Sequence, residues 1–358
     1  MKANLKVFLF FITLVTAPLF FFSCGGNDPD PVDVNSCNTP TTTEENGVFL
    51  TFRTSGSANP ANVSVLFNAH QRVGNDTVPV KDLKVANISV FENGDPISPF
   101  ESDFGILPKP NIFKSHTLLV LDLSGSVTST SLTELKAATV SFIQEIVPTT
   151  DSDEFGEVEM QIMWFDGGAK LNTLVAFTQE RSKLIAGVEN ITEDLSNDNS
   201  TNLNGAVIEG VSIMENVLGQ GGSIIRMGSI AVFTDGSDQA GRRTKTDALK
   251  SVAQAQSKGI IMNTIGLGGS INETNLEAYG PDGFFFAQDV NELGPKFKEA
   301  AGIIRAEVNS TYLFQYCSPK RAGSHELQIK VDYGDQSGSL TTCFSANGFS
   351  GGCVVEGK

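Results

Sequence analysis

The sequence predicts a doubly wound, mostly parallel α/β sheet inserted in, or flanked by, an all-β sandwich. An unbroken apolar run at residues 118–121 (LLVL) leads into Asp122-Leu123-Ser124-Gly125-Ser126. A strand buried on both faces reads this way, and its carboxyl end is where open α/β sheets bind ligands. From about residue 113 to 306, apolar strands alternate with helical periods, which implies a parallel sheet covered on both sides. On either side of that stretch the pattern is short alternating strands and Gly-rich turns without helical period.

The chain of 358 residues is long enough for about two ordinary domains. Its net charge of −16 and pI near 4.6 argue against nucleic acid and anionic lipid as partners. An acidic ligand would be repelled too, unless a bound cation offset the field.

At the N-terminus, Lys2 and Lys6 precede an apolar run over 7–22, then Ser23-Cys24 and a polar Gly-Gly-Asn-Asp. This is the anatomy of a secretory signal. Ser23-Cys24 resembles the bacterial lipobox, which implies a signal peptide over 1–24 and lipid on Cys24. The implied location is the cell envelope: outer membrane, cell surface or periplasmic face. Residues 25–46 hold Pro, Asp, Asn and Thr with almost nothing to bury, and predict a flexible tether.

The β pattern occupies 47–112 and returns over 307–358. The first part carries strands near 63–67 and 87–92, with turns at Val73-Gly74-Asn75-Asp76 and at Asn93-Gly94, a pair that adopts positive φ cheaply. The second part carries strands near 311–316, 326–333 and 339–344. Each is small alone, but together they have the size of one sandwich, so a split domain is expected. The first part also resembles the immunoglobulin-like strands of bacterial surface proteins.

Between them, 113–306 reads in order as follows. The 118–121 strand precedes a helix at 131–146, a strand at 158–165, an edge strand at 171–177 and a short helix at 182–188. A longer helix follows at 203–218, then the buried strand SIAVFT at 229–234, closed by Asp235-Gly236. A helix at 246–256 ends at Gly259, and strands at 260–266 and 283–287 precede the closing helix at 290–308.

Setting Cys24 aside leaves Cys37, Cys317, Cys343 and Cys353. An even remainder in an exported chain reads as disulfides with three connectivities. Cys317–Cys353 with Cys37–Cys343 is the preferred set. Cys343–Cys353 is an alternative that would close only a short loop.

Asp122, Ser124 and Ser126, Thr201 and Asp235 all fall on loops at one predicted sheet edge. Carboxylates with hydroxyls suit a hard divalent cation. Taken singly, a Ser after a strand is more often a helix cap and Asp-Gly a simple turn. Jointly, Asp-x-Ser-x-Ser, a distal Thr and a Thr-Asp-Gly closing the later strand resemble the von Willebrand factor type A family and its metal-ion-dependent adhesion site. The resemblance implies that Ser124 and Ser126 bind Mg²⁺, or Mn²⁺ or Ca²⁺, directly, and that Thr201 does so when ligand is engaged. Asp122 and Asp235 would act largely through water, and an Asp or Glu of a protein partner would complete the shell. Ser200 departs from the family, where Gly is frequent. His70, His116 and His325 lie far apart, and neither a Gly-x-Ser-x-Gly elbow nor a phosphate loop occurs, so no enzyme is expected. The expected function is a lipid-anchored adhesion protein. The alternative is an envelope scaffold or assembly subunit in which the metal site is structural or degenerate.

Overall fold

The computed structural model describes residues 40–74, 76–98, 102–108, 113–152, 154–196, 198–220 and 225–355. The predicted signal peptide, Cys24 and Cys37 lie outside them. Seven strands come first: β1 (Thr41–Asn46), β2 (Val48–Ala58), β3 (Asn62–Val73), β4 (Asp76–Pro79), β5 (Ile88–Glu92), β6 (Asp95–Ile97) and β7 (Phe104–Pro108). The central stretch runs β8 (Phe113–Asp122), α1 (Gly125–Thr130), α2 (Leu132–Ile146), β9 (Val158–Phe165), β10 (Asn172–Thr178), α3 (Arg181–Glu189) and α4 (Leu203–Leu218). It continues with β11 (Ile225–Thr234), α5 (Lys245–Ser257), β12 (Ile261–Leu267), α6 (Glu273–Tyr279), β13 (Gly283–Ala287) and α7 (Leu293–Asn309). Strands β14 (Thr311–Cys317), β15 (Ser324–Tyr333) and β16 (Gln336–Ser345) follow.

The outer strands form two antiparallel sheets, ordered β1-β16-β15-β5-β6 and β2-β3-β14-β7 with β4 on β3. Both draw on each end of the chain. Alternate residues of β3 (Val63, Val65, Phe67) and β14 (Tyr312, Phe314, Tyr316) join Val90, Leu327, Ile329 and Val331 in one apolar cluster. Period-two alternation therefore packs the inner faces against each other. Asn93 and Gly94 turn the β5–β6 hairpin at φ 52° and 83°, the conformation that an Asn-Gly turn supplies cheaply.

The expected tether does not extend to residue 46. Thr41–Asn46 forms β1, paired antiparallel with β16. All six side chains are exposed, so the strand leaves no apolar pattern to read. Backbone pairing and flanking ion pairs hold it instead, Arg72 to Glu44 at 3.3 Å and Lys330 to Glu45 at 2.9 Å.

The central sheet is ordered β10-β9-β8-β11-β12-β13, parallel except for β10, which runs antiparallel at the edge. Leu119 and Leu121 of β8 pack on one face with α2, α3 and α7. Leu118 and Val120 pack on the other with α4 and α5. Burial on both faces explains the unbroken apolar run. Two helices were absent from the sequence pattern. In α1 the hydroxyls of Ser129 and Thr130 fold back onto the carbonyls of Gly125 and Ser126, both at 2.6 Å, a mode that masks helical propensity. Helix α6 is only seven residues, capped by the Asn272 side chain on the Asn275 N–H. Among the described residues no helix is long and apolar enough to cross a membrane.

Strand β14 lies between β3 and β7, so the chain leaves the outer sheets at Pro108 and re-enters at Thr311 on an adjacent strand. A polar seam holds this junction. The Asn68 amide donates to Glu307 O at 2.7 Å, Ser310 Oγ at 2.9 Å and Thr311 Oγ1 at 2.8 Å. Arg53 pairs with the Glu307 carboxylate at 3.4 Å and donates to Gly259 O at 3.1 Å. Burial works against the Glu307 carboxylate, yet the hydrogen bond from His70 and the Arg53 charge hold it below the usual range. The disulfide Cys317–Cys353, with Cα atoms 5.6 Å apart, ties the end of β14 to the tail. Cys37–Cys343 involves a residue outside those described.

Replacing Arg53 by Leu is expected to destabilise the chain by about 2 kcal/mol in urea unfolding, discounted from a fully buried pair for partial exposure. Adding Glu307→Leu should recover part of that loss. Strictly additive losses would show that the two charges do not act as a pair.

Candidate metal centre

The site is built at the carboxyl end of β8, where the central strand stops and the chain turns into α1. Asp122 is its last residue and is fully buried. Its Oδ1 accepts from the Ser124 N–H at 3.0 Å, and its Oδ2 accepts from the Thr234 hydroxyl at 2.6 Å. Burial pushes the Asp122 carboxyl up to about 6; those two residues pull it down and the nearby Asp235 charge raises it further. Thr234 ends β11, which pairs directly with β8, so sheet register alone brings the two motifs together.

The hydroxyls close the ring. Thr201 Oγ1 donates to Ser124 Oγ at 3.4 Å, and both residues are buried. Ser126, exposed at the rim, donates to Asp235 Oδ1 at 3.0 Å. Burial also raises Asp235, against the hydrogen bond from Ser126. Thr201 is held from behind, its carbonyl accepting from Gln239 N–H at 2.8 Å and Ala240 N–H at 3.1 Å. The next residue, Asn202, donates its N–H to Asp166 O at 2.9 Å and caps α4 through the Gly205 N–H at 3.2 Å. The five residues singled out in the sequence thus lie at one sheet edge, linked pairwise.

Two carboxylates and three hydroxyls make an all-oxygen donor set. Both carboxylates are pushed up by burial, and neither has a Lys or Arg counter-charge among the described residues. A hard divalent cation supplies the positive charge that such a site lacks, so the residues fit one.

Several contributors escaped sequence reasoning. Thr234 was visible in the Thr-Asp-Gly motif, but its hydroxyl role toward Asp122 was not. Asn199 lies over the metal loop so closely that a Cβ at Gly125 would stand 1.9 Å from its Oδ1. Any side chain between Ser124 and Ser126 would have to displace the Asn199 amide. Ser200, the departure from the family pattern, turns aside: its N–H and hydroxyl donate to Asp198 Oδ1 at 2.9 and 2.6 Å. No local sequence signal announces contacts between loops so far apart in the chain.

A carboxyl raised from 3.8 to about 6 favours the metal-free fold fully below the lower value and loses that contribution as pH rises through the upper one. At pH 7 the charged Asp122 therefore costs the metal-free fold about 3 kcal/mol. In EDTA, melting temperature should rise as pH falls from 7 to 4. Asp122→Asn, which can keep one acceptor for Ser124 and donate to Thr234 Oγ1, should melt higher than the wild type in EDTA at pH 7. A lower melting temperature for that variant in EDTA would rule out a buried, uncompensated charge. Gly125→Ala is expected to weaken divalent-ion binding, measured by calorimetry, because the Asn199 side chain is displaced from over the Ser124–Ser126 loop.

No curated protein matches the chain. Among solved structures it is similar to proximal thread matrix protein 1 from the mussel byssus with a zinc-occupied MIDAS motif, at 13% identity and TM-score 0.44, over 53% of this chain and 48% of that one. The chain thus spans about half the length of that protein. It is also similar to a von Willebrand factor type A protein from Catenulispora acidiphila, at 11% identity and TM-score 0.44, over 84% of this chain and 74% of that one. Manganese-loaded TRAP protein of Plasmodium vivax is similar at 12% identity and TM-score 0.43, over 69% of this chain and 98% of that one. The model of the von Willebrand factor type A domain matches residues 118–299, just over half of the 358, including all five clustered positions. The chain belongs to the von Willebrand factor type A domain family.

Proposed function

We propose that this protein is an exported, lipid-anchored binding protein of the bacterial cell envelope, attached through Cys24. It captures a protein ligand through a divalent cation, Mg²⁺ foremost, held by Asp122, Ser124, Ser126, Thr201 and Asp235. It performs no chemical conversion. A split, immunoglobulin-like β sandwich carries the binding domain. The observation that carries this reading is the ring of carboxylates and hydroxyls at the end of β8, buried at Asp122, Ser124 and Thr201 and open at Ser126.

Ser124, Ser126 and Thr201 would offer hydroxyl oxygens to the cation. Asp122 and Asp235 would contribute charge from a second layer, with Thr234 and the Ser124 N–H orienting Asp122. When bound, the cation offers an electrophilic position to a carboxylate oxygen, because mostly neutral direct ligands leave it under-neutralised. A net charge of −16 would otherwise repel an acidic partner, so the cation also sets the sign of the local field.

Thermal unfolding with Mg²⁺, Mn²⁺ or EDTA tests the site. At a hundred times the dissociation constant, the cation should add roughly 2.7 kcal/mol, seen as a raised melting temperature. Asp122→Ala should abolish the rise. Absence of a rise with either metal would refute a live site. A rise without metal-dependent capture of acidic ligands would favour the scaffold reading.

A further inference from the structure

We propose that the ligand is a segment bearing several carboxylates, read by a basic arc of Lys170, Arg242, Arg243 and Lys245 beside the metal centre. This rests on the metal-dependent capture proposed above and specifies the ligand class. In a chain with 41 acidic and 25 basic residues, all four basic side chains of the arc are exposed. Lys170 lies on the loop after β9, Arg242 and Arg243 on the loop after β11, and Lys245 opens α5 where that loop ends, at the edge that carries the site.

Contacts of the Arg242 side chain and the Arg243 backbone tie that part of the arc to the site. Arg242 Nε donates to Gly167 O at 2.5 Å. Gly167 in turn lies so close to the loop before Thr201 that a Cβ there would stand 1.8 Å from Ser200 Oγ. The Arg243 carbonyl accepts from the Asn204 amide at 3.0 Å, on the first turn of α4. Arg242 and Arg243 are therefore tied to the loop and first turn that position Thr201.

The acidic neighbours are held by hydrogen bonds from neutral donors rather than by ion pairs with the arc. Asp238 is turned onto the backbone N–H groups of Asn204 at 2.9 Å and Gly241 at 3.2 Å. Glu209 accepts from Leu171 N–H at 2.7 Å, and Asp247 accepts from the Thr244 hydroxyl at 2.8 Å and pairs with Lys250 at 3.4 Å, the Arg243 charge lowering it least of all. Asp198, whose carboxylate lies against Gly167, accepts from the Ser200 N–H and hydroxyl, and the Arg242 charge lowers it less than these bonds do. Among the described residues none of the four basic groups forms an ion pair, whereas basic side chains elsewhere do, such as Lys114 with Glu159 at 2.9 Å and Arg305 with Glu145 at 3.0 Å.

The rim is asymmetric. Exposed Glu193 and Asp194 lie between Ile191 and Leu195, which pack with the α2, α3 and α7 face. The basic arc lies on the α4–α5 side. A ligand carboxylate on the cation would leave further acidic residues free to run over the arc and away from Glu193. Such charges act at range and raise association rate and selectivity more than contact area does.

The test uses the full-length chain in detergent, with three peptides of equal length: one Glu among neutral residues, four consecutive Glu, and Gln throughout. Affinities are read by fluorescence anisotropy in Mg²⁺ and in EDTA. In Mg²⁺ the four-Glu peptide should bind about tenfold or more tighter than the single-Glu peptide, an advantage that shrinks with added salt. Arg243→Gln with Lys245→Gln and Lys170→Gln should erase the advantage while leaving the Mg²⁺ melting shift intact. That set spares the Arg242–Gly167 bond. Equal binding of the two acidic peptides in Mg²⁺ would overturn the arc while sparing the metal reading. Undiminished four-Glu binding in EDTA would overturn the link between arc and metal. No Mg²⁺-dependent binding by any peptide would overturn both.

Discussion

A carboxylate buried without a counter-charge sits at the centre of this molecule. Asp122 ends the central strand of the six-stranded sheet, fully buried, with one oxygen on the Ser124 amide and the other on the Thr234 hydroxyl. An unpaired buried charge is tolerated only where the fold offers hydrogen bonds and, in function, a cation. The surrounding structure follows from that requirement. Strand β11 must pair in parallel register with β8 to deliver Thr234 and Asp235. The chain must break straight after the carboxylate so that Ser124 and Ser126 turn back toward it. The loop before α4 must approach closely enough to bring Thr201 to Ser124.

Rigidity of this edge comes from both faces of the sheet. Leu119 and Leu121 anchor β8 on one side, Leu118 and Val120 on the other, so the strand has little freedom to shift along its axis. A one-residue slip would exchange the two faces and expose the buried run. The loops above are fixed mainly by hydrogen bonds to backbone groups, as with the Thr201 carbonyl and its two N–H donors. A site so held is close to preformed, which lowers the ordering cost of binding.

The outer sheets solve a different problem. Because β7 and β14 are neighbours, the central stretch begins and ends on adjacent strands, and its length puts no strain on the sheets around it. Arg53, Asn68 and Glu307 then join the two parts through polar contacts rather than a broad apolar surface. The far end of the sheet, with the metal edge, is left clear of this junction.

What sequence alone determined here were features set by local periodicity and by composition. Burial on both faces leaves an unbroken apolar run, and a binding edge leaves Asp, Ser and Thr just past strand ends. The central sheet, most of its helices and the five clustered residues were legible for that reason. Tertiary structure decided what has no local periodicity. Strand β1 is wholly exposed and held by backbone pairing, so nothing in Thr41–Asn46 distinguished it from a tether. Helix α1 is built from Ser and Thr whose hydroxyls compete for the backbone. The fit of Asn199 over Gly125 and the placement of Arg242 beside Gly167 depend on loops more than seventy residues apart in the chain. Such contacts follow from how the sheet stacks its loops at one edge, and only the folded chain brings them together.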